Sequence, residues 1–340
     1  MIRNFRKKVR GTIISAISAK PVISLARLSK KNDLTILTYH WVGAKNSSFL
    51  EHTHYVELDA FEEQMTYISR HYRVVSLDDI AEAQKTGQGL GDAVAITFDD
   101  AYSCIATYVA PILERLNIPA TVFVSGSLID NERFFWRHAV KHVIEEGQLA
   151  LFSEELKNRT GIDLAVTAQL SLRPDLGKGI DSTLITDAAM AVFERMGWDS
   201  RALASTHHLY LTQKEISLLN PKLWTVGHHT WSHPVLATLS ESHQEQEITK
   251  GADYIKQFGE LARNYFAIPF GRTWHYNRRT IDVATELGCR LILLSTRGFE
   301  RPPFTIQLKR FAAPATKNDL QGYLVGIHPD IWYRALFKMK

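Results

Sequence analysis

Two adjacent carboxylates, Asp99 and Asp100, are the first residues of this chain whose type and position could do chemistry. They follow an apolar run at residues 93–96, which has the composition of a buried parallel strand. Because successive strand side chains point to opposite faces, both carboxylates can face one site only if the chain has left the strand. Taken alone, the pair is better explained by one helix cap and one solvated charge, so other residues must decide.

Two histidines, His229 and His233, could complete such a site. On a helical turn their i, i+4 spacing would place both imidazoles on one face, close enough to share a metal ion. With Asp100 they would form a set of two histidines and one carboxylate that leaves coordination positions open, as in catalytic metal sites. An ion there lowers the pKa of bound water and polarises a substrate carbonyl. Asp99, beside the ligand, is then the candidate general base.

The chain around these residues alternates apolar runs with helical patterns, which predicts a parallel sheet with helical crossovers. We expect strands at residues 34–39, 74–75, 93–96, 119–124, 223–226, 290–294 and 309–312, and a strand with its turn at 265–271. A mostly helical segment at about 134–219 is interpreted as an inserted subdomain or lid, with helices at 135–146, 186–196 and 212–219. We therefore divide the chain into an N-terminal segment (1–32), a catalytic domain (33–315) and a C-terminal helix (316–340).

The basic charge is concentrated at the N-terminus. Nine of the 40 basic residues and no acidic residue fall in residues 1–32, which leaves 31 basic against 36 acidic residues in the rest. A mildly acidic body argues against a nucleic-acid groove. The apolar residues of the N-terminal segment fall on one helical stripe with basic residues around it. Peripheral membrane contact through residues 1–30 and packing on the catalytic domain both stay open.

The two cysteines, Cys104 and Cys289, lie in apolar surroundings and indicate neither a disulfide framework nor a cysteine-based zinc site. We expect a cytoplasmic protein, peripheral at the inner face of the membrane if residues 1–30 make membrane contact.

Three motifs occur in the chain at predicted strand ends. They are Thr97-Phe98-Asp99-Asp100, His229-Thr230-Trp231-Ser232-His233-Pro234 and Phe266-Ala267-Ile268-Pro269-Phe270-Gly271. Their order and content resemble the polysaccharide deacetylases of the NodB-homology class, carbohydrate esterase family 4. Lesser features agree: Leu37-Thr38-Tyr39-His40-Trp41-Val42, Phe135-Trp136-Arg137 and Leu287-Gly288-Cys289-Arg290. The resemblance runs from about Leu34 to Pro314.

The resemblance implies an α/β fold, a deformed (β/α) barrel of the NodB-homology type with a helical insertion. It implies a divalent metal, most often Zn²⁺, held by Asp100, His229 and His233, with Asp99 as the base. The implied reaction hydrolyses an N-acetyl or related N-acyl amide on a saccharide, releasing acetate and a free amino sugar. Substrate contacts are then expected from Pro269 and Phe270, with a backbone N–H near Phe270 stabilising the tetrahedral oxyanion.

Two departures from the family pattern concern the acid and the base. The family commonly has an Arg in its third motif that orients the base, and no matching Arg precedes Ile268. Its last motif commonly supplies a general-acid His, whereas this chain has Leu308-Lys309-Arg310. His40, at the end of the first strand, is our preferred acid. The other candidates considered are His275, His228 and His328.

Two further residues are expected near the substrate. Trp231 lies between the two candidate ligands and is the aromatic residue best placed to contact a sugar. Arg310 could hold the base or the substrate, and a structural ion pair explains it at least as well. Two alternatives to an N-deacetylase remain: a deformylase or other amide hydrolase on a lipid-linked sugar, and a non-catalytic carbohydrate-binding relative.

Overall fold

The computed structural model describes residues 33–44, 50, 53–161 and 180–326. The basic segment 1–32 with its expected membrane contact, the end of the expected C-terminal helix and His328 lie outside these residues. Within them, no helix is long and apolar enough to cross a bilayer.

The strands form where the sequence carries short apolar runs rich in β-branched residues. In the described residues they are β1 (Leu34–Tyr39), β2 (Trp41–Val42), β3 (Tyr55–Val56), β4 (Arg73–Val74), β5 (Ala93–Phe98), β6 (Ala120–Val124), β7 (Trp224–His228), β8 (Ala262–Ala267), β9 (Leu291–Leu294), β10 (Gln307–Lys309) and β11 (Phe311–Ala312). Every residue of β1, β5 and β6 is buried, as expected for a parallel sheet covered on both faces.

The main sheet of the described residues has the strand order β10-β9-β8-β7-β6-β5-β1-β11, with β4 added beside β5. Every pairing within it is parallel. The two ends of this order, β10 and β11, are consecutive in the chain and are separated only by Arg310. A single segment therefore pairs with β9 on one side and β1 on the other, which nearly closes eight strands into a barrel. This confirms the expected (β/α) barrel.

Helices connect the strands and cover the barrel. The described α-helices are α1 (Leu58–His71), α2 (Leu77–Thr86), α3 (Ala110–Arg115), α4 (Trp136–Glu145), α5 (Leu149–Thr160), α6 (Ser182–Met196), α7 (Ser200–His207), α8 (Gln213–Ser217), α9 (Glu241–Ile255), α10 (Arg278–Glu286) and α11 (Lys317–Leu324). Their ends follow local signals: Ser76 and Asp79 form a capping box that begins α2, and Gly87 in the left-handed region ends it.

The expected helical insertion lies between β6 and β7 and contains α4 to α8. Helices α5 and α7 were not among the three that we expected there. Each buries few side chains, with Phe152 and Leu156 buried on α5 and Ala204 on α7, so neither carries a strong apolar periodicity. The C-terminal helix begins at Lys317, capped by Thr316, one residue after the start of the expected helix at 316.

Candidate active site

The strand-end carboxylates diverge because the chain turns sharply after β5. Phe98 ends the strand, and Asp100 and Ala101 follow with φ angles of 68° and 51°. The Asp99 amide still donates to the Tyr39 carbonyl at 2.9 Å, so Asp99 continues the sheet register while Asp100 leaves it. This left-handed turn, uncommon for residues other than glycine, lets both buried carboxylates line one cavity.

The two histidines come together on a loop, which corrects the expected helical turn. His229 follows β7 directly, and Thr230 and His233 have φ angles of 63° and 60°, so the segment is not helical. The Thr230 hydroxyl donates to the His229 carbonyl and accepts from the His233 amide at 3.0 Å, which closes the loop. The two imidazole centroids are 4.7 Å apart. The i, i+4 spacing was therefore informative although the helix inferred from it was wrong.

Helix α9 fixes this histidine loop from outside the barrel. Glu247 accepts hydrogen bonds from the backbone amides of Trp231 and Ser232 at 3.1 and 2.8 Å, and from the Ser232 hydroxyl at 2.7 Å. Gly251, one turn further along, lies so close that a Cβ atom there would be 2.7 Å from the Thr230 carbonyl carbon. The loop can approach α9 only because residue 251 has no side chain.

Asp100, His229 and His233 form one buried cluster. The Asp100 Oδ1 atom is 3.1 Å from His233 Nε2 and 3.5 Å from His229 Nε2. The His229 Nδ1 atom lies 2.6 Å from the Ala267 carbonyl, which can only accept, so Nδ1 carries the proton and Nε2 presents a lone pair. A lone pair and a carboxylate oxygen thus face one another in a buried place, an arrangement that a divalent cation would satisfy. The donor set fits a metal ion of the zinc type.

The pKa directions agree with this charge arrangement. Burial lowers the pKa of His229 to about 4, which keeps the imidazole neutral and able to act as a ligand. Burial by itself would raise the pKa of Asp100, but its neighbour His233 outweighs that effect, and the pKa falls well below the ordinary range. A neutral imidazole and an ionised carboxylate are the protonation states that metal binding requires.

Arg310 holds Asp99 through a paired hydrogen bond. Its two terminal nitrogens lie 2.7 and 2.8 Å from the two carboxylate oxygens, and both side chains are almost completely buried. Burial alone would raise the pKa of Asp99, but the Arg310 guanidinium and His229 lower it overall. Arg310 is not among the cavity-lining residues, so of the two roles expected for it the structure favours holding the base over contacting the substrate. This contact with the base is the one that the resemblance assigns to the Arg of the third motif.

The candidate base and the Asp100–His229–His233 cluster open onto a cavity of about 340 Å³. Strand ends, the loops after β8 and β9 and the insertion bound this cavity. Asp99, Asp100, His40, His229 and His233 all line it. The insertion contributes Phe135 and His138, which sequence reasoning had not assigned to the site.

His138 is held by a hydrogen bond to Tyr210. The Tyr210 hydroxyl accepts from the Phe135 amide at 3.1 Å and lies 2.8 Å from His138 Nδ1. Burial lowers the pKa of His138 to about 4. The only signal in the sequence was the neighbouring Phe135-Trp136-Arg137 motif.

Three of the candidate acids can be compared by position. His40 and His275 both line the cavity. His228 does not: its ring stacks on Phe266 at 4.6 Å and its Nε2 atom is 3.5 Å from Cys289 Sγ. The structure therefore removes His228 as a candidate and retains His40. The His275 Nδ1 atom accepts from the Arg272 amide at 2.9 Å.

The aromatic wall of the cavity differs from the one expected. Trp231 points away from it: its ring packs 5.6 Å from Tyr254 on α9 and lies under Lys250 at 3.9 Å. Trp231 and Pro269 are absent from the lining, so the expected substrate contact of these side chains is not supported. Phe270 and Trp274 do line the cavity, and Trp274 was missed because its segment carries no periodic pattern.

With this geometry in place, the chain can be compared with known proteins. The family model named polysaccharide deacetylase matches residues 86–159 and 181–292, which is more than half of the chain. The chain belongs to the polysaccharide deacetylase family. Membership confirms the resemblance and the expected enzyme class of that family, hydrolases of non-peptide C–N bonds. The match includes β5, the histidine loop and most of the insertion's described helices.

Individual relatives are more distant. The poly-β-1,6-N-acetyl-D-glucosamine N-deacetylase of Escherichia coli strain K12 is 30% identical over 132 residues, which cover 34% of this chain and 20% of that protein. The matched region thus spans about a fifth of the curated relative.

Among solved structures, the deacetylase PplD of Streptococcus pyogenes has a TM-score of 0.56 at 18% identity, covering 86% of this chain and 99% of that one. IcaB of Ammonifex degensii has a TM-score of 0.57 at 16% identity, with 87% and 97% covered. These similarities show the barrel fold.

Proposed function

We propose that this chain is a divalent-metal-dependent N-deacetylase of an N-acetylated polysaccharide. One observation carries the proposal: the buried Asp100–His229–His233 cluster opens, together with Asp99, onto a single cavity. Zn²⁺ is the proposed ion because two imidazoles and one carboxylate suit it. Bound there, it would polarise the acetyl carbonyl and acidify water. The N-deacetylase from Escherichia coli supports poly-β-1,6-N-acetylglucosamine as the first substrate to test.

In the proposed mechanism Asp99 accepts the proton of the attacking water. Arg310 keeps this carboxylate ionised and fixes its plane, so that one oxygen edge stays oriented. Water adds to the carbonyl carbon, and the backbone N–H of Phe270 is the proposed donor to the resulting oxyanion. The C–N bond then breaks, giving acetate, while the leaving nitrogen takes a proton and becomes a free amine. His40 is the proposed proton donor, since it lines the cavity.

The test is acetate release from acetylated β-1,6-glucosamine oligosaccharides, with N-formylated sugars assayed alongside. We expect activity that is lost on chelation and restored by Zn²⁺, with one ion per chain by elemental analysis. Formate release without acetate release would indicate the deformylase alternative. Absence of either acid from metal-loaded protein across these sugars would contradict the proposed N-deacetylase activity on them and favour the carbohydrate-binding alternative.

A cytoplasmic location with peripheral membrane contact is a separate proposal. It rests on the basic, amphipathic pattern of residues 1–30. Deleting these residues should reduce partitioning onto anionic vesicles if the segment binds membrane. Unchanged partitioning would refute the contact.

A further inference from the structure

Four basic side chains line the cavity, and together we call them the basic rim. These are Arg137 and Lys141 on α4, Arg272 after β8 and Arg297 after β9. They come from three separate parts of the chain and all line the same cavity. Among the described lining residues the acidic ones are Asp99 and Asp100, both at the bottom.

The four side chains of the rim differ in their exposure to solvent. Arg272 and Arg297 are exposed, whereas Arg137 and Lys141 are half-buried. The Arg137 guanidinium lies 5.3 Å from the Phe270 ring centre and 5.2 Å from that of Trp136, which restricts its position. Lys141 forms an ion pair with Glu145 at 2.6 Å, so its charge is partly offset. The three arginines are therefore the members of the rim that we consider for binding an anion.

Phe270 connects the rim to the candidate metal cluster. The Phe270 ring lies against the Arg137 guanidinium. Its centroid is 4.9 Å from that of His233 and 5.1 Å from that of His275. The Phe270 ring contacts both the Arg137 guanidinium and the imidazole of a candidate ligand. A group bound by the rim would thus lie beside the N-acyl sugar at the cluster, on the same saccharide.

The positive rim is a local property. Outside the first 32 residues the chain carries 31 basic and 36 acidic residues, so its average charge is negative. At the bottom of the cavity Asp99 is already neutralised by Arg310. Burial lowers the pKa of His275 to about 3, with the Arg272 and Arg137 charges acting in the same direction, so their field reaches the cavity wall. A positively charged cavity on a negatively charged body favours anionic ligands.

We propose that the saccharide substrate carries an anionic group, a phosphate or a carboxylate, next to its N-acyl sugar, and that Arg137, Arg272 and Arg297 bind this group. The proposal rests on the proposed N-deacetylase function and specifies its substrate. Planar guanidinium groups match both oxyanions and bind them through paired hydrogen bonds.

The kinetic test compares matched N-acetylated oligosaccharides that are neutral, phosphorylated or oxidised to uronates. We expect kcat/KM to be at least about 10-fold higher for one anionic form, mainly through KM, as charge-assisted hydrogen bonds of this kind allow. Arg272→Gln and Arg297→Gln should remove that preference, chiefly by raising KM for the anionic form. Arg278→Gln, which removes the same charge from an exposed position at the start of α10, is the control.

Binding without turnover separates this proposal from the proposed function. Titration with methyl glucoside, its 6-phosphate and methyl glucuronide uses ligands that have no acyl group. Tighter binding of the phosphate or the uronate, abolished in Arg272→Gln/Arg297→Gln, supports the rim even if no acid is released from any substrate. The two anionic arms distinguish a phosphate ester from a uronate. Equal binding of all three probes, or equal loss of neutral and anionic turnover in both variants, would overturn the proposal.

Discussion

Arg310 forms a buried, doubly hydrogen-bonded ion pair with Asp99 across the place where the barrel closes. The two residues are on opposite sides of β1 in the sheet order, since Asp99 follows β5 and Arg310 separates β10 from β11. Arg310 also donates to the Thr97 hydroxyl at 3.2 Å and lies 5.6 Å from the Phe123 ring centre. One guanidinium therefore joins the last strands of the barrel to the candidate base.

Replacing Arg310 should damage both stability and activity. Arg310→Gln leaves the Asp99 charge buried and unpaired, which should lower the free energy of unfolding by about 3–5 kcal/mol. Arg310→Lys keeps the charge but loses the paired geometry, so we expect a smaller loss of stability and still a large loss of acetate release. Urea unfolding and an acetate assay measure the two effects. In the control Arg115→Gln, whose exposed pair with Glu62 should contribute no more than about 1 kcal/mol, activity should be retained. Wild-type activity in Arg310→Gln would contradict this role.

Substitutions should distinguish the roles of the two carboxylates, Asp99 and Asp100. Asp99→Asn should reduce kcat by about 10²- to 10⁴-fold, the usual contribution of a general base, while the ion content per chain stays the same. Asp100→Asn should lose the ion, because the cluster then lacks its only carboxylate. Activity assays with elemental analysis of the purified, folded variants distinguish these outcomes. Retained turnover in Asp99→Asn would show that another group is the base.

The main strands of the barrel and the residues of the candidate metal cluster could be proposed from sequence. Buried parallel strands are continuous apolar runs, so β1, β5 and β6 are visible locally. The cluster was predictable because parallel strands place their carboxyl ends at one end of the barrel, where Asp100 and His229 both follow strands.

The other features depend on contacts between distant parts of the chain. The Asp99–Arg310 pair joins residues 211 positions apart and exists only because β10 and β11 close the barrel. Trp231 points outward because α9 provides Tyr254 and Lys250 to pack against, whereas its spacing between two ligands suggested the opposite. The His229–His233 loop shows the same limit, since i, i+4 spacing does not specify a helix.

Glu247 should determine the metal affinity without touching the metal cluster. Its carboxylate holds the amides of the loop between the two histidines, so Glu247→Ala should loosen that loop. Residues that orient ligands in this way typically contribute about 10- to 100-fold to affinity. Competition with a zinc-sensitive chelator measures the change. Glu245→Ala, on the exposed face of the same helix and paired with Arg279, is the control. Equal affinities for both variants would show that the loop holds its conformation without Glu247.

The buried histidines should make the fold sensitive to acid. Burial lowers the pKa of His228 to about 3 from its ordinary 6.5. Below pH 6.5 the unfolded chain therefore binds a proton that the folded chain does not, and the free energy of unfolding falls as the pH drops towards the folded pKa. His228→Phe should reduce this slope by up to about 1.4 kcal/mol per pH unit. Urea unfolding between pH 7 and pH 4 measures it, with exposed His243→Phe on α9 as the control. If the free energy of unfolding of His228→Phe depended on pH as steeply as that of the wild type, His228 would not be the source of the acid sensitivity.

Trp274 and Trp231 offer a paired test of which tryptophan meets the saccharide. Trp274 lines the cavity, and its ring centre is 3.6 Å from that of His275. Trp274→Ala should therefore raise KM by about 5-fold, as loss of one aromatic contact of about 1 kcal/mol implies, with little change in unfolding. Trp231→Ala should lower stability through its lost contacts with Tyr254 and Lys250 and leave KM unchanged. Steady-state kinetics and thermal unfolding of both variants show which tryptophan contacts the saccharide and which stabilises the fold. The reverse result, a KM effect confined to Trp231→Ala, would restore the residue between the two histidines as the sugar contact.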